Sequence, residues 1–323
     1  MILPSDLASQ HPPQPTKPWL DIDQQVAKLE MRGLPLDDSQ RALLANFLAH
    51  QNYYRFSGYF KQFMEPAPAD EFKPGTSLEQ LLTVYSLDNQ MRLLVFRGVQ
   101  VIEPIIRTRV AFRLAEGPEN GPTRYLLRSA YEPSRPSNLP PRGMPLDAWQ
   151  AKHAGLTRSH ESLMRSIEDT LNREELYLQH FVNQGQQVPL WAMVEAMSLG
   201  DLSKMVSTWK DTNQIQRLME DLGFTRAEEL RRAIGNVNFF WNLAAHHNRL
   251  WGRRLTRPVA KSPWKGAKGL EYPGLPVEAP VHILRLLSDW VDHIQGNQTY
   301  STELWQLISI DSAYEEGMLF PSL

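Results

Sequence analysis

The chain contains no cysteine, no apolar run approaching the length of a membrane span and no surplus of charge. Each absence narrows what it can be. Without cysteine there are no disulfides and no thiolate metal sites, which suits a reducing compartment, so the expected location is the cytoplasm. Spanning a bilayer takes about 18–20 consecutive apolar residues, so no membrane partner is expected. Lys and Arg number 34 against 36 Asp and Glu, and this near-balance does not announce a nucleic-acid binder. Also missing are a Walker-type phosphate loop, a dinucleotide fingerprint and a His-Glu-x-x-His pair. No cofactor and no metal site is expected.

What is present is helical periodicity over most of 323 residues, enough to bury a sizeable core. Residues 1–18 are polar and Pro-rich and read as a disordered leader. A helical region comes next, over 19–64. Asp21–Arg32 stops at Gly33, and a second helix, capped by Asp37 or Asp38, runs through Leu48 towards the aromatic segment Asn52–Phe63. A Pro-rich break covers Glu65–Gly75. Residues 76–310 read as one larger helical domain. Thr76…Glu79 has capping-box spacing and opens a helix to about Ala115, which Pro104 should kink or split. A long Pro-rich connection spans 117–146. Helical spacing resumes over Leu146–Val182, Leu190–Trp209, a segment opened by Thr225…Glu228, and Val281–Ile294, with a weaker pattern at Tyr300–Ile310. No alternating strand pattern stands out, so the predicted fold class is all-α.

The most informative stretch is Asn242–Arg254. On one continuous helix, Asn238, Asn242, His246, Arg249 and Arg253 would share a stripe on an otherwise apolar cylinder. Buried, such a stripe is a His–Asn network ordering helix packing; open, it suits a phosphate-bearing ligand. The charge around it is uneven. From Arg249 to Lys268 there are seven basic residues and no acidic one, including Arg253, Arg254, Arg257, Lys261 and Lys265. This is either a surface that tracks phosphates or a solvated basic tail.

Four ordered blocks carry a resemblance. Ala-His-His-Asn-Arg-Leu-Trp (245–251) resembles the Ala-His-His-x-Arg-Leu-Trp signature of the Abi-like family, bacterial abortive-infection proteins of AbiD/AbiF type. Asn52-Tyr-Tyr-Arg-Phe-Ser-Gly-Tyr59 is similar to a second block. Asp88-x3-Arg92 with Ile102-Glu103 and Arg107 is similar to a third. A fourth is formed by His180-Phe181, Pro189-Leu190-Trp191, Glu195 and Ser198-Leu-Gly-Asp-Leu-Ser203. Together they cover roughly residues 17–255.

The resemblance implies a HEPN-like helical bundle with an N-terminal helical extension, acting in phage defence or as the toxin of a toxin–antitoxin pair. It further implies a metal-independent RNA endonuclease, a homodimer with paired sites, and RNA as substrate, with a small noncoding RNA as a second possible partner. The HEPN motif is Arg-x4–6-His, often Arg-Asn-x3-His. Here Asn242 and His246 match, whereas Trp241 stands where the arginine belongs.

The chemistry is consistent with that division of labour. Cleaving RNA without a metal needs an acid and a base, which histidine can supply near neutral pH, and positive charge on the phosphorane. Arginine supplies that charge through a fork that matches two phosphate oxygens; tryptophan cannot. Arg249 and Arg107 are the expected substitutes. Glu103 and Arg107, four residues apart, either orient the site or form a plain intrahelical pair. For Asp88 and Arg92 the structural reading is favoured. His247 points off the stripe and reads as structural, and His180 as a packing residue or a secondary contributor. Tyr54 and Phe60 read as core. The rival functional reading is a catalytically impaired RNA-binding or protein-interaction module on the same scaffold.

Overall fold

The computed structural model describes residues 18–118, 121–132, 145–264 and 274–321. The predicted leader, up to residue 17, lies outside them, as do parts of the Pro-rich connection and Lys265. The described residues form α-helices and short 3-10 turns with no strand, only two isolated bridges. The fold is all-α. No helix among them is long and apolar enough to cross a membrane. The chain divides into two compact units, residues 1–85 and 86–323.

The first unit holds α1 (Ile22–Met31), α2 (Asp38–His50) and the short α3 (Tyr53–Ser57). Asp21 with Gln24, and Asp37 with Gln40, close reciprocal capping boxes on α1 and α2. Gly33, at φ +89°, reverses the chain after α1, a backbone region that costs a side chain free energy. The core here is aromatic. Phe47 and Phe60 both pack on Phe56, with ring centroids 4.8 and 4.9 Å away, and Tyr59 meets Tyr85 at 5.1 Å. Asn52 caps α3 by accepting from the Tyr54 amide at 2.8 Å. Phe60 is core as expected, but Tyr54 is 87% exposed. The physical reason for this correction is the cap: α3 is only five residues long, and Phe56, Tyr59 and Phe60 take the inner positions.

The helix α4 (Leu78–Leu114) opens at a capping box between Ser77 and Gln80, one residue later than the expected Thr76…Glu79 pair. It is unbroken across Pro104. The proline lies on the exposed side, where the carbonyl it cannot bond, that of exposed Gln100, can be hydrated. Within the second unit its buried stripe is Leu87, Met91, Val95, Ile102, Ile106 and Val110. Gly98 permits one close approach: a Cβ there would lie 2.4 Å from the Tyr300 hydroxyl, which donates to the Leu94 carbonyl at 2.7 Å.

The remaining helices are α5 (Leu146–Leu171), α6 (Leu176–Asn183), α7 (Leu190–Ala196), α8 (Leu199–Thr208), α9 (Thr212–Asp221), α10 (Ala227–Ala245), α11 (Val281–Gln295), α12 (Thr299–Ile308) and α13 (Ser312–Leu319). Packing runs from α5 to α8, α10, α11, α12 and α13 in turn. Three expectations shift. The Leu190–Trp209 pattern is two helices, because Ser198 caps α8 and breaks the chain after Ala196. Leu146–Val182 likewise divides after Leu171. Thr225 forms no cap, and α10 begins at Ala227 with Arg226 ahead of it. In the described part of the Pro-rich connection, two 3-10 turns bury Tyr125 and Tyr131, whose hydroxyls donate to Val188 and Tyr125 carbonyls.

The ends of α4 and α9 are joined by Arg113, whose Nε and Nη2 each donate to Asp221 at 2.7 Å. Those bonds hold the Asp221 carboxyl below its ordinary value, with burial opposing them. A depressed carboxylate contributes stability above its unfolded-state value and loses it as pH falls through the folded one. Asp221→Asn is therefore expected to cost about 1–2 kcal/mol at pH 7. The gap to the wild type should close below about pH 4. Thermal melts across pH check this, and a gap that does not depend on pH would refute it.

Candidate functional site

Asn238 and Asn242 stand one turn apart on α10, with Asn242 Nδ2 donating to Asn238 Oδ1 at 3.3 Å. The helix then stops. His246 is its cap residue, and His247 takes φ +53°, the one non-glycine residue at positive φ among the described residues. The His247 amide donates to the Ala244 carbonyl at 2.9 Å, and the Asn248 amide to the Leu243 carbonyl at 2.7 Å. That pair of bonds is a Schellman termination, with histidine in the place glycine usually takes. Histidine and asparagine tolerate this region better than most residues, and His-His-Asn was the signal available for the reversal.

The stripe expected through Arg249 and Arg253 is therefore a correction, since neither is helical. Asn242, His246, His247 and Asn248 are exposed, so the buried His–Asn network is overturned as well. His247 is structural through its backbone, while its ring faces solvent. Trp241 is half-buried and packs edge-on against Phe96, centroids 4.9 Å apart.

Beyond His247 the chain is pulled inward by Asp88. This carboxylate is fully buried, and it accepts the Leu250 amide at 3.2 Å and the Trp251 amide at 2.9 Å. Arg92, 4% exposed, pairs with it at 2.5 Å and also donates to Asn89. The Trp251 indole donates to the Tyr314 carbonyl at 3.1 Å, and the Gly252 amide to the Gly317 carbonyl at 3.0 Å. The loop bearing the basic residues is thus held on two sides.

Those basic residues are spread over different environments. Arg249 is half-buried, and its carbonyl accepts from Arg253 Nε at 2.9 Å. Burial pushes the Arg253 guanidinium down, against the pull of Asp88. Arg254 pairs with Glu278 at 3.4 Å. Arg257 lies over the Phe239 ring at 4.5 Å. Lys261 is exposed, and its amide donates to Glu229 at 2.8 Å. The described part of the segment, residues 249–264, is a buttressed surface rather than a solvated tail.

Glu103 and Arg107 form the i, i+4 pair. Arg107 Nε donates to Glu103 at 3.1 Å, while Nη1 donates to the Val194 carbonyl and, at 2.7 Å, to that of Met197. The guanidinium is committed to holding the end of α7. His180 is exposed, with its ring against Phe181 at 5.6 Å. No group of three or more His, Asp or Glu side chains among the described residues could hold a metal ion.

The fold and these contacts define an all-α protein whose exposed amide–imidazole helix end leads into a braced basic loop. Residues 46–252, more than half of the chain, match the Abi-like protein family, and the chain belongs to that family. Membership points to abortive infection, a form of phage defence. No curated protein and no solved structure matches the chain.

Asp88→Asn leaves Arg92 without its counter-charge and removes one of the two acceptor oxygens. Breaking a buried pair this way is expected to cost about 3–5 kcal/mol. In a protein of this size that lowers the melting temperature by roughly 10 °C. A thermal melt with a shift of under about 2 °C would show that the carboxylate is not the brace.

Proposed function

We propose that this protein acts in abortive infection by binding RNA and cutting it without a metal ion, at the helix end formed by Asn242 and His246. The observation that carries the reading is the exposure of His246 at the end of α10, one turn beyond Asn242 and immediately before a basic loop. A reacting 2′-hydroxyl needs an accessible base, and an imidazole in solvent can accept and return a proton. Asn242 would orient the scissile phosphate. Arg249, Arg253 and Arg254 would neutralise backbone charge, with Arg257 and Lys261 extending the cationic track. Glu103 and Arg107 then serve as supports rather than as acid, base or phosphate contacts.

In this reading two copies of the chain pair their helix ends, in keeping with the HEPN likeness, and a structured small RNA restrains the enzyme. An electrophile is still needed at the developing phosphorane, because Trp241 is spent on Phe96. Arg249 is the candidate. Loss of one such donor ordinarily costs about 10²–10³ in rate. The Trp241–Phe96 contact therefore also favours a second reading, a module that binds RNA without cutting it.

His246→Ala separates the two. Expression of the wild type should arrest growth and release RNA fragments, and His246→Ala should do neither while still binding RNA in a salt-sensitive way. Binding by the wild type with no fragments at any stage of phage challenge would leave only the binding module. Trp241→Arg offers a second measurement, with an expected gain of about tenfold or more in fragment yield.

A further inference from the structure

One face of α10 runs on from the candidate site. Arg231, Gly235, Asn238 and Asn242 follow one another at steps of three and four residues and lead to His246. At the rise of an α-helix, Arg231 stands about 22 Å along the axis from His246. Helix α8 flanks this face and runs in the opposite direction. A Cβ on Gly200 would stand 3.5 Å from the Asn238 amide, and one on Gly235 would stand 3.7 Å from the Ser203 hydroxyl. Arg231 Nε donates to the Val206 carbonyl at 3.3 Å. Gly200, Ser203, Arg231, Gly235 and Asn238 are all half-buried, so the two helices share a shallow trough that opens at exposed Asn242 and His246.

Arg231 is the unusual member. Among the described residues its guanidinium makes one hydrogen bond, to a neutral carbonyl, and no ion pair. The nearby carboxylates are taken. Glu228 pairs with Arg232 at 3.2 Å, and Asp201 is buried and engaged by Ser166, Ser198 and Lys204. Burial pushes the Arg231 guanidinium down, with the charge of Glu228 opposing it. A partly desolvated cation with both Nη groups to offer suits an oxyanion. Gly235 is the second oddity. Glycine is a poor helix former, and the 3.7 Å clearance means that packing against α8 does not require it. What the missing side chain provides is an open floor between Arg231 and His246, where a ligand can approach the backbone.

We propose that Arg231 anchors a backbone phosphate of the single-stranded RNA that reaches His246, with the strand lying along α10 over Gly235. The inference rests on the RNA reading of the Asn242–His246 helix end and gives that site a second, distant contact. The seam between two packed helices, whose axes lie roughly 8–10 Å apart, has room for one strand. Asn238 and Ser203 add neutral hydrogen-bonding groups along the way. None of the five trough residues carries a large apolar side chain, the kind that forms the core of a protein–protein interface. A nucleic-acid strand is therefore favoured over a second copy of the chain.

Charge placed at Gly235 tests this without removing a side-chain contact. Glutamate and lysine are both better helix formers than glycine, so Gly235→Glu and Gly235→Lys should fold, which thermal melts verify. Fluorescence anisotropy on the full chain then measures affinity for a single-stranded RNA of about twelve nucleotides. Gly235→Glu is expected to bind it about tenfold more weakly than the wild type, and Gly235→Lys several-fold more tightly. Arg231→Gln should weaken it several-fold and lower the salt slope by about one. An RNA of about three nucleotides, too short to span from His246 to Arg231, should respond to Arg231→Gln less than twofold. Affinity for the longer RNA within about twofold of the wild type, in folded Arg231→Gln or in both Gly235 variants, overturns the proposal and leaves the reading at His246 standing. A fall in RNA affinity in both Gly235 variants, with a dimer lost by light scattering, assigns the face to a second copy and also overturns it. A wild type that binds no RNA up to about 1 mM defeats the reading at His246, and this proposal with it.

Discussion

The Asp88 carboxylate is buried, charged and shared between a side chain and a backbone. Arg92 neutralises it, and the amides of Leu250 and Trp251 both donate to it. Taking an ion pair out of water is costly unless the geometry is good and the leftover lone pairs are used. Here they are used by two amides that have just left a helix and would otherwise be buried without partners. The exchange sets the direction of the chain after His247. It also explains why Arg253 sits half-buried beside an acidic group, and why the Trp251 indole can reach carbonyls of α13.

The same device recurs on α4. Glu103 and Arg107 repeat the spacing of Asp88 and Arg92, and Arg107 reaches the Val194 and Met197 carbonyls at the end of α7. Ser198 starts α8 directly afterwards, and α8 packs on α10, the helix that bears Asn238 and Asn242. Two acid–arginine pairs on one helix thus brace two distant segments. Both pairs lie within the region matched by the Abi-like family, and at the end of α10 the amide of Asn242 and the two imidazoles are left open to solvent. Chemistry on RNA would have to be done by that remainder, with the braces supplying rigidity.

Local signals were legible where one turn of chain contains the whole interaction. The cap at Asp37, one of the two aspartates expected there, and the stop at Gly33 need nothing beyond a few neighbouring residues. The aromatic segment was less legible, because periodicity cannot tell which of Tyr54, Phe56 and Phe60 turns inward when the helix lasts only five residues. Thr76 and Ser77 are both good caps, and only the packing of Leu78 and Leu81 selects the later one. Pro104 looked like a break because its cost is local, whereas the packing of α4 along its length is not.

By itself the sequence determined the all-α class, the order of the helices, the family and the residue types able to handle a phosphate, since composition and short-range spacing encode all of these. Where the chain goes after α10 was settled only by tertiary structure. The run from Asn238 to Arg253 keeps a helical rhythm, but beyond the local stop at His247 the amides of Leu250 and Trp251 turn to a carboxylate more than 160 residues earlier. A cavity between residues 255–264 and α11 was equally invisible, because its walls come together only when the chain has folded.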